Sequence, residues 1–340
     1  MRTEPLLVVG AGSWGTALAI VAARTGWVML WGRDAAQIAE MAAARVNRRY
    51  LPGILLPPEI EPVASLEAAL KTASDVLVVV PVQALRETVL MLGKAARHPL
   101  RVAWACKGFE RGTGRLPHEV VAEVLGAEVP LAALSGPTFA REVAEDRPAA
   151  ITVATRDRAF GAALVTALHG GRFRPYSGDD LIGVEAGGAL KNVIAIAAGM
   201  ADGLQLGANT RAAIITRGLA ETSRLGVALG GKETTFTGLS GLGDLVLTCT
   251  DDRSRNRRLG LALARGEALD SALARVGPVV EGVETAHTAL MLADRLHVEI
   301  PITREVALVL NGAQSVEAAA SALLARDPRA ESEPASVTAP

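Results

Sequence analysis

The apolar positions of this chain follow two regimes. Up to about residue 180, short apolar runs at 6–9, 27–31, 75–80, 101–105, 131–134, 150–154 and 172–176 read as strands, bounded by Gly, Pro or charged residues. Helical patterns lie between them: an Ala-rich stretch running to about Arg24, then 35–44, 85–96, 116–125 and 159–168. Repeated alternation of strand and helix predicts an α/β fold with a large, doubly wound, mostly parallel sheet. The stretch from Asn47 to Pro58 is too broken by Pro and Gly for a helix or a central strand, and reads as a loop. From residue 181 the pattern changes to long helical periods with no clear strand, at 187–200, 209–229, 280–296, 301–310 and 316–325. The expected division is therefore 1–180, 181–325 as an all-α domain, and a polar, disordered tail at 326–340.

One helix dominates the second half. In residues 187–200 only Lys191 and Asn192 interrupt the apolar character, so no face is left for solvent and the helix is predicted to be buried all round. An unpaired ammonium there would cost several kcal/mol or lose its proton, so Lys191 must meet a cavity, a partner or a ligand. The alternative is a lysine whose stem crosses the core and whose head reaches water. Gly187 and Gly188, which admit close backbone approach, favour a functional lysine.

Composition narrows the ligand. Half of the 340 residues are hydrophobic and 21% are charged, with 5 Phe, 4 Trp and 2 Tyr, so the core is aliphatic and stacking platforms are few. Net charge is −1, which argues against a general nucleic-acid or anionic-membrane surface but permits a local basic pocket for a small anion. Cys106 and Cys249 have no metal-ligand spacing and fit packing roles in a reducing cytoplasm. None of the 5 histidines clusters, so no metal is inferred. The chain opens with no charged-then-apolar leader, because residues 6–9 run straight into glycines.

The first of those strands leads into Gly10-Ala-Gly-Ser-Trp-Gly15 and then a helix, which is GxGxxG in the context that gives it meaning. Gly10, Gly12 and Gly15 would make the tight turn, admit a pyrophosphate and allow close helix packing, while the helix N-terminus offers unpaired N–H groups. This predicts a Rossmann-like dinucleotide-binding domain. At the end of the second strand stand Arg33 and Asp34: Arg33 suits the 2′-phosphate of NADP, whereas Asp34 could hold a ribose hydroxyl or cap the next helix. NADP is favoured over NAD. Two more strand ends carry chemistry, Lys107-Gly108 and Ser135-Gly-Pro-Thr138, with a surface lysine and an ordinary turn as alternatives. Farther on, Asp244 could bond a lysine or a substrate hydroxyl, or cap a helix. The run Asp251-Asp-Arg-Ser-Arg-Asn-Arg-Arg258 reads either as a solvated helix face or, through Ser254, Arg255 and Asn256, as a phosphate seat at a helix start.

Taken together these motifs resemble the soluble, bacterial-type NAD(P)-dependent sn-glycerol-3-phosphate dehydrogenases. The resemblance runs through Gly10-Ala-Gly-Ser-Trp-Gly15, Asn47-Arg-Arg-Tyr-Leu-Pro-Gly53, Cys106-Lys-Gly108, Leu134-Ser-Gly-Pro-Thr-Phe-Ala140, Gly183-Val-Glu-Ala-Gly-Gly-Ala-Leu-Lys-Asn192, Gly207-Ala-Asn-Thr-Arg211, Gly238-Leu-Ser-Gly-Leu-Gly-Asp244, Ser254-Arg-Asn256 and Val279-Val-Glu281. It implies reversible reduction of dihydroxyacetone phosphate to glycerol 3-phosphate for phospholipid synthesis. It also implies that Lys191 is the proton donor and acceptor, and that Lys107, Gly136, Thr138, Asp244, Ser254, Arg255 and Asn256 line the substrate. Ser13, Trp14, Arg33, Lys107, Ala140, Arg255, Val279 and Glu281 match positions that contact the dinucleotide. The expected assembly is a cytoplasmic homodimer without nucleic-acid partners or membrane insertion. The alternatives are a related β-hydroxyacid dehydrogenase, which the phosphate motif and Lys107 disfavour, and a non-catalytic nicotinamide-binding sensor, which retention of Lys191, Asp244 and Arg255 disfavours.

Overall fold

The run Leu6–Val9 is apolar throughout and buried throughout, as a parallel strand covered on both faces must be. It is strand β1 of an eight-stranded sheet with β2 (Val28–Trp31), β3 (Ile60–Val63), β4 (Asp75–Val78), β5 (Arg101–Trp104), β6 (Leu131–Ser135), β7 (Ala149–Thr155) and β8 (Phe173–Gly178). The computed structural model describes residues 4–277 and 279–327. The strand order is β3-β2-β1-β4-β5-β6-β7-β8, and every pairing is parallel except that of β6 with β7. The order therefore reverses between β1 and β4, the switch point at which such sheets bind ligands. Strand β3 is not foreseen from the sequence because Pro62 interrupts it, and it pairs only with β2, at the sheet edge where a missing N–H is tolerated.

The chain divides into two units, one running to Cys106 and resuming over Pro117–Leu181, the other made of Lys107–Leu116 and the chain from Ile182 onward. This differs from a single cut at residue 180. The physical reason is packing: Phe109 and Leu116 are buried in a cluster with Ala189, Leu190, Leu225, Ala289 and Leu292 of the second unit.

The second unit is built of helices around Leu181–Gly203, whose residues 183–201 are all buried. Among the described residues it is the one helix long and apolar enough to cross a bilayer, and 94% of its most apolar window is buried, the condition of a core helix. Around it stand Gly207–Ala228, Asp244–Thr250, Arg255–Ala264, Glu281–Leu296, Pro301–Leu310 and Val316–Leu324. Arg326 pairs with Glu299 at 3.4 Å. The tail expected at 326–340 lies, from residue 328, outside the described residues.

Candidate active site

In the first unit the glycine loop is held from several sides. Gly10 has φ +124°, and a Cβ there would stand 2.2 Å from the Val79 carbonyl oxygen, while one on Gly15 would stand 1.8 Å from that of Gly10. Packing therefore demands both glycines. Gly12 differs, since a Cβ on it would meet nothing within 4 Å. The protein's own packing gives no reason for glycine at this position, whereas a pyrophosphate lying against the backbone does. Helix Ser13–Ala23 starts with no side-chain cap, so its first N–H groups are available to an anion. Ser13 and Trp14 are half-buried beside it.

A residue that sequence reasoning passed over fixes the loop. Asn47 is fully buried, and its Nδ2 donates to the Ala11 carbonyl at 3.0 Å and to Thr16 Oγ1 at 2.8 Å. Gln37 Nε2 donates to the same carbonyl at 2.9 Å. The broken segment after Asn47 is thereby anchored to the nucleotide loop by one amide. Nothing in the sequence marks that amide except its place at the head of Asn47-Arg-Arg-Tyr.

At the end of β2, Asp34 caps helix Ala35–Ala44, with Oδ1 accepting from Ala36 N and Gln37 N. The capping role is thus made through Oδ1 alone. Arg33 is exposed beside it. After β6, Gly136 is buried, a Cβ on it would stand 3.0 Å from the Ala150 carbonyl oxygen, and Thr138 Oγ1 donates to the Gly136 carbonyl at 3.3 Å. Ala140 opens helix Ala140–Ala144.

In the second unit Lys191 does not reach out to water. Its Nζ donates to Asp244 Oδ1 at 2.5 Å and to Thr248 Oγ1 at 2.9 Å, with the side chain 9% exposed. Lys107 Nζ donates to the other oxygen of the same carboxylate. Asp244 stands at the first position of helix Asp244–Thr250 and makes an ion-paired centre, so the cap reading fails for it. Thr248 follows on the same helical face and donates to the Asp244 carbonyl at 2.6 Å, which leaves an oxygen lone pair for Lys191. The four-residue spacing of Asp244 and Thr248 is the signal that could have found it.

Burial pulls the Lys191 ammonium down from the usual lysine range and the neighbouring Lys107 charge adds to that, while ionised Asp244 pulls the other way; the outcome is about 8. Burial alone would raise the Asp244 carboxyl, but Lys107 and Lys191 together outweigh it and hold it below the ordinary value. Glu281 is raised by burial, against the charges of Arg255, Lys107 and Lys191, so the same small region gathers all of these groups.

The arginine run resolves residue by residue. Ser254 is buried and caps helix Arg255–Ala264, its Oγ accepting from Arg257 N. Arg255 is exposed, while Asn256 and Arg257 are buried. Asn256 Nδ2 donates to Asn192 Oδ1 at 2.9 Å, and its Oδ1 accepts from Gly282 N at 3.0 Å. A solvated helix face therefore describes only part of the run. Val279 precedes helix Glu281–Leu296, and Glu281 Oε2 stands 3.5 Å from Asn192 Nδ2. The structure thus gathers Lys107, Lys191, Asp244, Asn256, Arg255 and Glu281 in the second unit, and Gly10, Gly12, Ser13, Trp14, Gly15, Arg33, Gly136, Thr138 and Ala140 in the first.

Comparison with known proteins agrees with this chemistry over nearly the whole chain. The models for the NAD-dependent glycerol-3-phosphate dehydrogenase N-terminus and C-terminus match residues 5–161 and 180–321. A glycerol-3-phosphate dehydrogenase [NAD(P)+] of Thioalkalivibrio sulfidiphilus is 53% identical over 332 residues, covering 97% of this chain and 100% of that protein. One from Xanthomonas euvesicatoria is 50% identical over 330 residues, 97% of each chain. The crystal structure of glycerol-3-phosphate dehydrogenase from Coxiella burnetii superposes with a TM-score of 0.91 at 46% identity, covering 95% of this chain and 99% of that one. Sequence motifs, fold and the buried lysine centre thus converge, and the chain belongs to the NAD-dependent glycerol-3-phosphate dehydrogenase family.

Proposed function

We propose that this enzyme reduces dihydroxyacetone phosphate to sn-glycerol 3-phosphate, reversibly, with NADH or NADPH. The observation that carries the reading is the Lys191 ammonium, buried and ion-paired yet tuned to about 8. Of its three hydrogens, Asp244 and Thr248 accept two, so one remains for a substrate oxygen. The nicotinamide, when bound, supplies the hydride. As the carbonyl carbon accepts that electron pair its oxygen becomes an alkoxide, and Lys191 Nζ gives it a proton, leaving a neutral amine. In the reverse direction the neutral amine takes the hydroxyl proton. Asp244 favours the charged lysine and Lys107 disfavours it, which poises the amine to work both ways.

The substrate phosphate is assigned to Ser254, Arg255 and Asn256. A guanidinium at a helix start provides the planar fork and the positive end of a dipole that a phosphate dianion needs. Lys107 adds a second positive charge beside Asp244, and Gly136 and Thr138 are proposed as further substrate contacts by resemblance to the family alone. The dinucleotide is assigned to Gly10, Gly12, Ser13, Trp14, Gly15, Arg33, Ala140, Val279 and Glu281, with Lys107 and Arg255 also matching contact positions. The product suits phospholipid synthesis. Cys106 and Cys249 are buried and outside any disulfide, which fits a cytoplasmic location that cell fractionation tests.

A homodimer is the proposed assembly. A groove of about 870 Å³ in the second unit is lined by apolar residues such as Ala197, Ile214 and Leu323, with Arg217, Arg224, Glu299 and Glu305 among its polar ones. Its residues Leu206, Val227 and Leu324 are exposed. Charges of both signs in one apolar patch suit a symmetric contact between copies.

The reaction is tested by following nicotinamide absorbance with dihydroxyacetone phosphate, with Lys191→Ala alongside. The variant is expected to keep its cofactor affinity and to lose about two to four orders of magnitude in kcat. Turnover within tenfold of the unsubstituted enzyme would remove Lys191 from the chemistry.

A further inference from the structure

The helix that carries Lys191 and the helix that starts at the phosphate seat touch backbone to backbone. A Cβ on Gly199 would stand 2.0 Å from the Arg257 carbonyl oxygen, and one on Gly260 would stand 2.0 Å from that of Ile196. Neither helix can carry a larger residue there without moving its partner. Polar ties secure the contact at both ends. Near Lys191, the Asn256 amide joins Asn192 to the backbone of Gly282, and a Cβ on Gly282 would stand 2.6 Å from Asn256 Oδ1. At the other end the buried Arg257 guanidinium donates to Asp202 Oδ2 at 2.6 Å and also to Asp252, while Asp202 Oδ1 accepts from Arg211 at 2.8 Å. Asp202 lies in the last turn of the Lys191 helix, so one carboxylate fastens three helices together.

We propose that the Asp202–Arg257 pair is a positioning device for the reaction. It fixes the spacing from Lys191 Nζ to the phosphate seat at Ser254, Arg255 and Asn256, and so selects substrates by the number of atoms between carbonyl and phosphate. Neither residue is assigned to touch the substrate. Arg257 sits in the first turn of the helix that begins with the seat, so a shift of its guanidinium is a shift of that turn. Displacement of a reacting group by about 1 Å costs up to two orders of magnitude, which is ample for a length preference. The inference rests on the glycerol-phosphate reading, because it presumes a phosphate at Arg255.

Three substrates make the ruler measurable. Dihydroxyacetone phosphate and glycolaldehyde phosphate have one carbon between the carbonyl carbon and the ester oxygen, and 1,4-dihydroxybutan-2-one 4-phosphate has two. In Asp202→Asn, which keeps the shape and removes the charge, kcat/KM for dihydroxyacetone phosphate is expected to fall about tenfold, with most of the loss in kcat because the carbonyl oxygen is no longer held at Lys191 Nζ. Glycolaldehyde phosphate should change in parallel, and the preference over the longer ketone should shrink by about fivefold or more. Arg257→Lys, which keeps a charge for Asp202, should fall between the two enzymes and is the variant read if Asp202→Asn does not fold. A merely structural role would lower thermal stability and leave the length preference intact, and that result in either folded variant overturns the proposal. Failure of the unsubstituted enzyme to reduce dihydroxyacetone phosphate would overturn the underlying reading instead.

Discussion

At the scale of the residue, the Lys191 centre turns on opposing charges around one buried amine. Ketone reduction needs the ammonium, so its kcat/KM should fall as pH rises through about 8, and glycerol 3-phosphate oxidation, which needs the neutral amine, should rise through the same value. Asp244→Asn removes a charge that holds the proton on Lys191 and leaves Lys107 facing it. The falling limb for reduction should therefore move to lower pH, as seen in pH–rate profiles of both enzymes; an unmoved limb would mean that another group titrates. Arg33 makes a second residue-scale prediction. Its guanidinium is exposed beside the Asp34 cap, and we expect it to meet a 2′-phosphate. Arg33→Asp should lose NADPH affinity about tenfold or more while largely keeping NADH, measured by fluorescence titration. Equal losses for both cofactors would make Arg33 a bystander.

At the scale of the element, polar side chains at helix starts decide how this fold is pinned. Asp34 and Ser254 do so locally, each capping its own helix. Glu221 does so at long range: it is buried in helix Gly207–Ala228 and accepts from Ile302 N at 2.6 Å and Thr303 N at 3.1 Å, at the start of Pro301–Leu310. Burial pushes its carboxyl up from 4.5 to about 7, outweighing those two N–H groups and the Arg224 charge. The native state then binds more protons than the unfolded chain between those values, so this group's contribution is fully present below about 4.5 and is lost as pH rises through about 7. The loss is on the order of 3 kcal/mol. Glu221→Gln should flatten the decline, so that the difference in denaturant midpoint between variant and parent changes from pH 5 to pH 7.5. Parallel curves would show that Glu221 stays ionised.

At the scale of the whole molecule, the test is of assembly. If the groove around Leu323 and Leu324 is a symmetric contact, equilibrium sedimentation should give a dimer, and Leu324→Asp should shift it toward monomer. Leu324 is 81% exposed, so the substitution should cost the monomer little stability of its own. A monomeric parent protein at micromolar concentration would refute the dimer.

The sequence determined seven of the eight described strands and the long helices, because burial imposes periods that a chain cannot hide: β1 is apolar throughout, and helix Leu181–Gly203 is buried on every side over residues 183–201. It also marked Lys191 as costly unless partnered. Tertiary structure alone chose the partner. Whether Asp244 caps a helix or neutralises two lysines depends on groups 53 and 137 residues away, and spacing within one helix carries no information about them. The same holds for Asn47, which sequence shows as one polar residue in a broken loop and the fold turns into the anchor of the glycine turn. It holds too for residues 107–116, which follow a strand of the first unit in sequence yet belong to the second, because Phe109 and Leu116 bury their area against its helices. Local periodicity sets which side chains must leave water; only the folded chain decides which of them meet.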